Sequence, residues 1–594
     1  MEDSDCTYCL ISKGELHFLP FNYNKPNVQF YSSFLNNKSA SSFHEDEDTE
    51  IDNKSENLNP VAANTTIPSS TTSSISNGKQ INTLLIPQST LIHDISNEFS
   101  SDNESFVSSI NDTNKPLNNI NTHNLLSINN DFNTIDNKLD NENDNNGTTE
   151  KIKNLLFDYS THSLYLPKLQ LKSPSTDRID IKNHNDLIEL LLKIFPHWST
   201  NKDKIILKHL TGGITNMLLS ASIKNDETLK TEKILVRIYG RGTNLIIDRD
   251  REFCSHLIMN AFKLAPSIHC RFNNGLIYGF LGGRSLDYCE LSNKKIYPLI
   301  AQRLSQWHSI IDINLIEKSV LKLKKFNNEI NLNMTDNTGK FFKDIWSLLE
   351  EWINIVPEID GLINTCFENK DLFEDADETN LHSVLLNELN WFKKNFNNTS
   401  KVVACHCDLL SGNIIIPDSL SDELENDEKS NNNNNKSNND SNDPDDYKID
   451  LPDIDSNPIS FIDYEYMIPA PRAFDMANHF MEWQGFDCDK SKIPKPEISN
   501  EILRLWSRSY LSYNNTDTTA TTTTTTNNNN LDSEINKLIN EIYLFYGMPG
   551  FYWGIWAGIQ SSISLIDFDY SNYSGNRLGE YWTWKRDYLE KSGK

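Results

Sequence analysis

The chain has 594 residues, enough for about two to four domains, yet only 37% of them are hydrophobic, below the roughly 45–50% of ordinary globular sequence. No run of about 18 apolar residues occurs, which excludes a spanning helix, and a net charge of -28 excludes a general basic surface for nucleic acid. The nine cysteines have no regular spacing and residues 1–10 lack the apolar core of a secretory signal, so the thiols read as reduced and the protein as cytoplasmic.

Residues 1–155 are rich in Asn, Ser, Asp and Thr, with turn formers such as Asn129-Asn130-Asp131. Such sequence buries too little apolar surface to offset its ordering entropy, so the region is expected to be disordered. All 11 tryptophans follow it, beginning at Trp198. Next, 186–195 and 248–264 have helical periodicity, and 205–209, 218–223, 234–239 and 276–280 read as strands. In 296–311, Ile296, Ile300, Leu304 and Trp307 fall at helical spacing, as in a buried helix. Two low-complexity stretches, 418–457 and 514–530, interrupt the later half and read as disordered surface insertions, which loop-closure entropy tolerates. Strands with one helix first, then mostly helices, make an α+β chain of two lobes. The smaller, β-rich lobe spans 160–282 and the larger, mostly helical lobe 283–594. No inferred site lies in 1–150, so removing that segment is expected to leave activity largely intact.

The segment richest in chemistry runs strand, loop, strand: Val402-Val403-Ala404-Cys405, then His406-Cys407-Asp408-Leu409-Leu410-Ser411-Gly412-Asn413, then Ile414-Ile415-Ile416. A later strand, Phe461-Ile462, ends in Asp463. Pairing of the two later strands as a hairpin brings Asp463 to Asn413 and Asp408. One Asp that accepts a hydroxyl proton, with an Asn and a second Asp to hold Mg²⁺ on nucleotide phosphates, suits phosphoryl transfer. His406 reads as a brace of the loop. Cys405 and Cys407 have no second Cys/His pair and read as packing.

Upstream, Gly212-Gly213-Ile214-Thr215-Asn216 lies between two strands. Its glycines let backbone approach a phosphate, although a plain hairpin turn explains them equally well. Arg237 is a cation within a strand that can meet phosphates and pair with Glu252 on the next helix. The strand that ends at Phe280 and Leu281, before Gly282-Gly283, is a hinge whose backbone can face adenine.

These residues resemble the choline/ethanolamine kinase family over about 165–590, apart from the two insertions. Further carriers of the likeness are Phe461-Ile462-Asp463-Tyr464-Glu465-Tyr466 and Phe474-Asp475-Met476-Ala477-Asn478-His479-Phe480-Met481-Glu482-Trp483. Leu409-Leu410 resembles the ethanolamine branch, most like its fungal type. The resemblance implies a protein-kinase-like fold and phosphorylation of ethanolamine by ATP with Mg²⁺, the first step of the CDP-ethanolamine route to phosphatidylethanolamine. It makes Asp408 the base, Asn413 and Asp463, with Glu465, the metal site, and Arg237 the ATP-binding cation. Cys407 departs from the family's usual Asn, so altered loop hydrogen bonding is expected.

For a cationic substrate, carboxylate and aromatic faces are needed. Tyr466, Glu482, Trp483, Tyr552, Trp553 and Trp556 supply them, and the family places equivalents of Tyr466, Glu482, Trp553 and Trp556 around the ammonium group. Asp475 and His479, four residues apart on one helix, read as support for the loop. The competing readings are a choline or dual choline/ethanolamine kinase, an aminoglycoside-phosphotransferase-type kinase, and a catalytically silent kinase-like scaffold. A homodimer is compatible with the sequence, which does not set the oligomeric state.

Overall fold

The computed structural model describes residues 7–12, 15–20, 161–171, 185–210, 216–224, 230–240, 242–329, 342–375, 377–433, 451–513, 524–564 and 566–593. All of them belong to one unit, made of Met1–Pro26 and Asn146–Lys594.

Alternation builds the sheet. In the strand Thr231–Tyr239, Ile234, Val236 and Ile238 point to one face and pack with Leu187, Leu190 and Leu191 of helix α1 (Asn185–Ile194). Arg237, between Val236 and Ile238, must therefore point to the other face. There it meets helix α2 (Arg249–Ala261), whose N-terminus is capped by Asp248 through the amides of Asp250 and Arg251 at 3.1 Å each.

Eight strands take part: β1 (Thr7–Ser12), β2 (Glu15–Pro20), β3 (Thr161–Leu166), β4 (Ile206–Leu210), β5 (Asn216–Lys224), β6 (Thr231–Tyr239), β7 (Ile268–Phe272) and β8 (Gly275–Gly279). Their order is β2-β1-β3-β7-β8-β6-β5-β4, antiparallel except for β3 beside β7. The four strands and two helices expected in this region are present.

Past the sheet the chain is mostly helical: α3 (Tyr297–Ile310), α4 (Ile313–Glu329), α5 (Ile345–Ile355), α6 (Asp360–Glu368) and α7 (Leu381–Phe396) come first. Short strands frame the loop that carries Asp408. Strand β10 (Val402–Cys405) pairs with β13 (Ile468–Pro471), while β11 (Ile414–Ile416) lies between β12 (Ser460–Phe461) and β9 (Arg284–Ser285). Gly283 has φ +111°, and a Cβ there would lie 2.1 Å from the Ile416 carbonyl oxygen, so only glycine lets this connection run against β11. Helices α8 (Asp418–Asn433), α9 (Arg472–Met481), α10 (Glu501–Ser512), α11 (Thr524–Phe545), α12 (Met548–Ile563) and α13 (Tyr570–Ser592) complete the chain.

Three expectations of disorder need correction. Residues 7–12 and 15–20 pair as β1 and β2; the rest of 1–155 lies outside the described residues. The insertion at 418–457 begins as helix α8, with Ser421 and Leu424 buried, and ends at buried Asn457. The Asn457 amide donates to the Leu299 carbonyl (3.0 Å) and to Gln302 Oε1 (2.8 Å). Residues 524–530 of the second insertion are already helical. In the hairpin and in the first insertion, a few anchoring residues outweigh a polar average.

Candidate active site

Helix α9 holds the loop from His406 to Asn413 by its backbone. Asp475 Oδ2 accepts the His406 amide and Oδ1 the Cys407 amide, both at 2.8 Å. Asn478 donates to the Cys407 carbonyl at 3.1 Å, and His479 Nδ1 donates to that of Leu409 at 3.0 Å. These three residues share one helical face, at i, i+3 and i+4. His308 supports Asp475 from α3, with Nε2 2.9 Å from Oδ2 and Nδ1 2.9 Å from the Tyr510 hydroxyl. His406 Nδ1 accepts the Asp408 amide at 3.3 Å, which puts its proton on Nε2 for the Ile462 carbonyl at 3.0 Å. The sulfur of Cys405, His308 and Asp475 lie close enough to suggest a metal triad, yet both imidazole nitrogens and both carboxylate oxygens are already engaged within the brace.

Asp408 emerges from this loop almost fully buried. Asn413 Nδ2 donates to its Oδ2 at 3.0 Å and to its carbonyl at 2.8 Å. Burial, then the fields of Asp463, Glu482 and Glu465, push its carboxyl well above the usual range. Asp463 has φ +67°, and its Oδ1 accepts from Arg237 at 2.6 Å. Its side chain keeps 29% exposure. Burial raises its carboxyl to about 6 against the pull of Arg237. Arg237 also donates to Glu252 Oε1 at 3.1 Å, forming the expected pair.

Glu465, expected at the metal site with Asn413 and Asp463, sits against two arginines. Its Oε2 lies 2.8 Å from Arg249, 2.9 Å from Asn216 and 3.2 Å from Arg237. Burial raises its carboxyl, but the two arginines outweigh that and hold it at about 2. It belongs to an arginine–carboxylate cluster whose cations already occupy that oxygen. Asn413 commits its amide nitrogen to Asp408, and Asp463 meets one arginine where Glu465 meets two, so the Asn413 side-chain oxygen and Asp463 Oδ2 lie outside those bonds. Hard oxygens of this kind fit Mg²⁺.

On the opposite side, Arg577 donates to Glu482 Oε1 at 3.0 Å, and its Nε lies 3.3 Å from Glu580. The Tyr466 hydroxyl accepts from Trp556 at 2.8 Å, and Trp553 donates to Asn478 Oδ1 at 2.7 Å. The Trp553 and Trp556 rings meet edge to face at 5.3 Å. Trp483 and Tyr552, also expected in the pocket, are buried, as Tyr466, Trp553 and Trp556 are. Trp483 packs on Phe480 and points its N–H at His479, while Tyr552 lies between Trp352 and Phe474.

Of the residues expected to face adenine, Phe280 is exposed, with Lys233 Nζ 3.6 Å above its ring, and Leu281 is half-buried. Gly212, Gly213 and Thr215 lie outside the described residues; Asn216 opens β5. Sequence reasoning missed Arg249, His308, Tyr510, Asn478 and Arg577. Arg249 stands in the charged run Asp248-Arg249-Asp250-Arg251-Glu252, which resembles a solvated face but is wholly buried. Its i, i+3 spacing to Glu252 was the available signal.

Comparison with known proteins adds an independent finding. Residues 207–582 match the model of the choline/ethanolamine kinase family. The chain is 30% identical to ethanolamine kinase 1 of Homo sapiens, over 71% of this chain and 75% of that one. It is 29% identical to ethanolamine kinase 1 of Mus musculus, over 70% and 94%. Among solved structures it is similar to an ethanolamine kinase of Plasmodium vivax, with 27% identity over 74% and 94% of the two chains and a TM-score of 0.46.

Proposed function

The chain belongs to the choline/ethanolamine kinase family, and from that premise we propose that it transfers the γ-phosphoryl group of ATP to the hydroxyl of ethanolamine. The product, phosphoethanolamine, feeds phospholipid synthesis. The observation that carries this reading is Asp408, fixed by Asn413 at 3.0 Å and acted on by Asp463 and Glu482.

Asp408 accepts the hydroxyl proton as the substrate oxygen attacks phosphorus, and ADP leaves. Asn413 and Asp463 are the residues that would hold Mg²⁺, which when bound neutralises charge on the phosphates. Arg237, set in place by Glu252, holds Asp463 through Oδ1. The brace from Asp475, Asn478 and His479 keeps the loop from shifting as charge moves.

At the amine end, Glu482 gives Oε1 to Arg577 and has Oε2 for the substrate ammonium. A primary ammonium donates hydrogen bonds to that carboxylate and to Tyr466; a trimethylammonium donates none and leaves them unpaired. The test is steady-state kinetics with ATP and Mg²⁺ on both amines. The expected result is a kcat/KM at least about tenfold higher for ethanolamine. Equal or better efficiency on choline would overturn the assignment of substrate while keeping the reaction.

A further inference from the structure

The hairpin β1–β2 is separated from β3 by most of the Asn-rich segment, so local connectivity does not force it onto the sheet. It docks nevertheless. Strand β1 pairs antiparallel with β3 from Thr7↔Tyr165 to Ile11↔Thr161, and with β2 from Thr7↔Pro20 to Ser12↔Glu15. Without it, β3 would be a sheet edge with a row of unpaired backbone groups. The pairing is strand addition from within the same chain.

Its side chains reach the back of α2. Cys9 and Leu16 are buried in the same core as Phe253, Cys254 and Leu257 of that helix. Glu15 Oε2 lies 3.7 Å from Lys322 on α4. Helix α2 is held by charges at its buried back: Asp250 to Arg271 of β7 at 2.7 Å, Arg251 to Glu317 of α4, and the Asp248 cap to Lys324 of α4 at 3.5 Å. Tyr165 of β3 stacks on Phe253 and donates to Asn327 of α4 at 2.7 Å. From the same helix, Arg249 and Glu252 reach the site, where Glu252 fixes Arg237 and Arg249 fixes Glu465.

We infer that the hairpin Thr7–Pro20 is a positioning element for phosphoryl transfer: docked on β3, it seals the layer behind α2 and thereby sets Glu252, Arg249 and Arg237. The inference rests on the phosphotransferase reading. It replaces the expectation that the first 150 residues are dispensable. The part required is the hairpin, and it acts through α2 without touching substrate.

The test uses the full chain with Leu16→Asp, which puts a charge into the core only where the hairpin docks, and Leu16→Met as the conservative control. Two readouts are followed, kinetics in ATP and in ethanolamine, and hydrogen exchange of residues 7–20 and 249–261. The expected result for Leu16→Asp is faster exchange in both segments and kcat/KM for ATP lowered about tenfold or more. KM for ethanolamine should stay within about twofold, and Leu16→Met should behave as wild type. Faster exchange at 7–20 with unchanged exchange in α2, or with unchanged kcat/KM for ATP, would overturn the inference. Should Leu16→Asp not fold, Glu15→Lys, which repels Lys322, takes its place with the same readouts. An inactive wild-type protein would instead defeat the phosphotransferase reading, and the exchange of α2 would still decide the role of the hairpin.

Discussion

Cys407 and Asp463 have φ of +65° and +67°, in the left-handed region that non-glycine residues seldom occupy. Both flank Asp408 in the proposed site: Cys407 precedes it in the loop, and Asp463 aims a carboxylate at Arg237. Asparagine tolerates this region better than most residues, and a β-branched side chain tolerates it worst. Cys407→Asn is therefore expected to retain kcat within about threefold. Cys407→Val should lose about 1–3 kcal/mol of stability in denaturant unfolding. Equal stability of the two variants would show that the backbone there is not strained. At this scale the sequence was informative where chemistry and spacing coincide: His406, Asp408, Asn413 and Asp463 fall together as expected. Arg577 and His308 were illegible because their roles depend on partners far along the chain, Glu482 and Asp475; for Arg249 only the spacing to Glu252 was legible, and its distant partner Glu465 was not. For the aromatic residues Tyr466, Trp483, Tyr552, Trp553 and Trp556, helical spacing foretold burial, which all five show, but not their hydrogen-bond partners.

Among the elements, β6 and α2 were legible from alternation and periodicity, because one face of each is apolar. The hairpin β1–β2 was not, since it is two short strands in a region whose composition argues against order. What stabilises it is the unsatisfied edge of β3, which no local pattern discloses. Helix α2 also carries a pH dependence. His256 donates to the Pro266 carbonyl at 2.9 Å between the rings of Tyr278 and Tyr464. Burial lowers its pKa to about 4, with a smaller push from Arg237 and His269. Below pH 6.5 the unfolded chain binds a proton there that the folded chain refuses until about pH 4. Stability from this group is thus complete above pH 6.5 and falls as pH drops toward 4, by up to about 3 kcal/mol. Unfolding by urea at pH 7 and pH 5 checks this: His256→Gln, which keeps a donor for Pro266, should reduce the difference between the two by about 2 kcal/mol. An unchanged difference would mean that His256 is protonated in the folded state.

Across the whole molecule, the sheet and the helical body meet at the chemistry. Arg237 from the sheet holds Asp463 and lies beside Glu465 from the body, while Arg249 of α2 spans Glu252 and Glu465. Gly283 brings the connecting backbone against β11, beside the loop that carries Asp408 and Asn413. The order of strands first and helices after was readable from the sequence; the buried cluster of arginines and acids that joins them was not, because a charged run reads as surface until a partner is known. The central claim is that Asp408 takes the proton in transfer of phosphate from ATP to ethanolamine. It is tested most directly by formation of phosphoethanolamine in wild-type protein and Asp408→Ala, with ATP binding measured on both. The account predicts turnover by the wild type, a loss of at least about 10²-fold in kcat for the variant, and retained ATP binding. Turnover that survives the substitution, or a wild type that binds ATP and phosphorylates nothing, would contradict it.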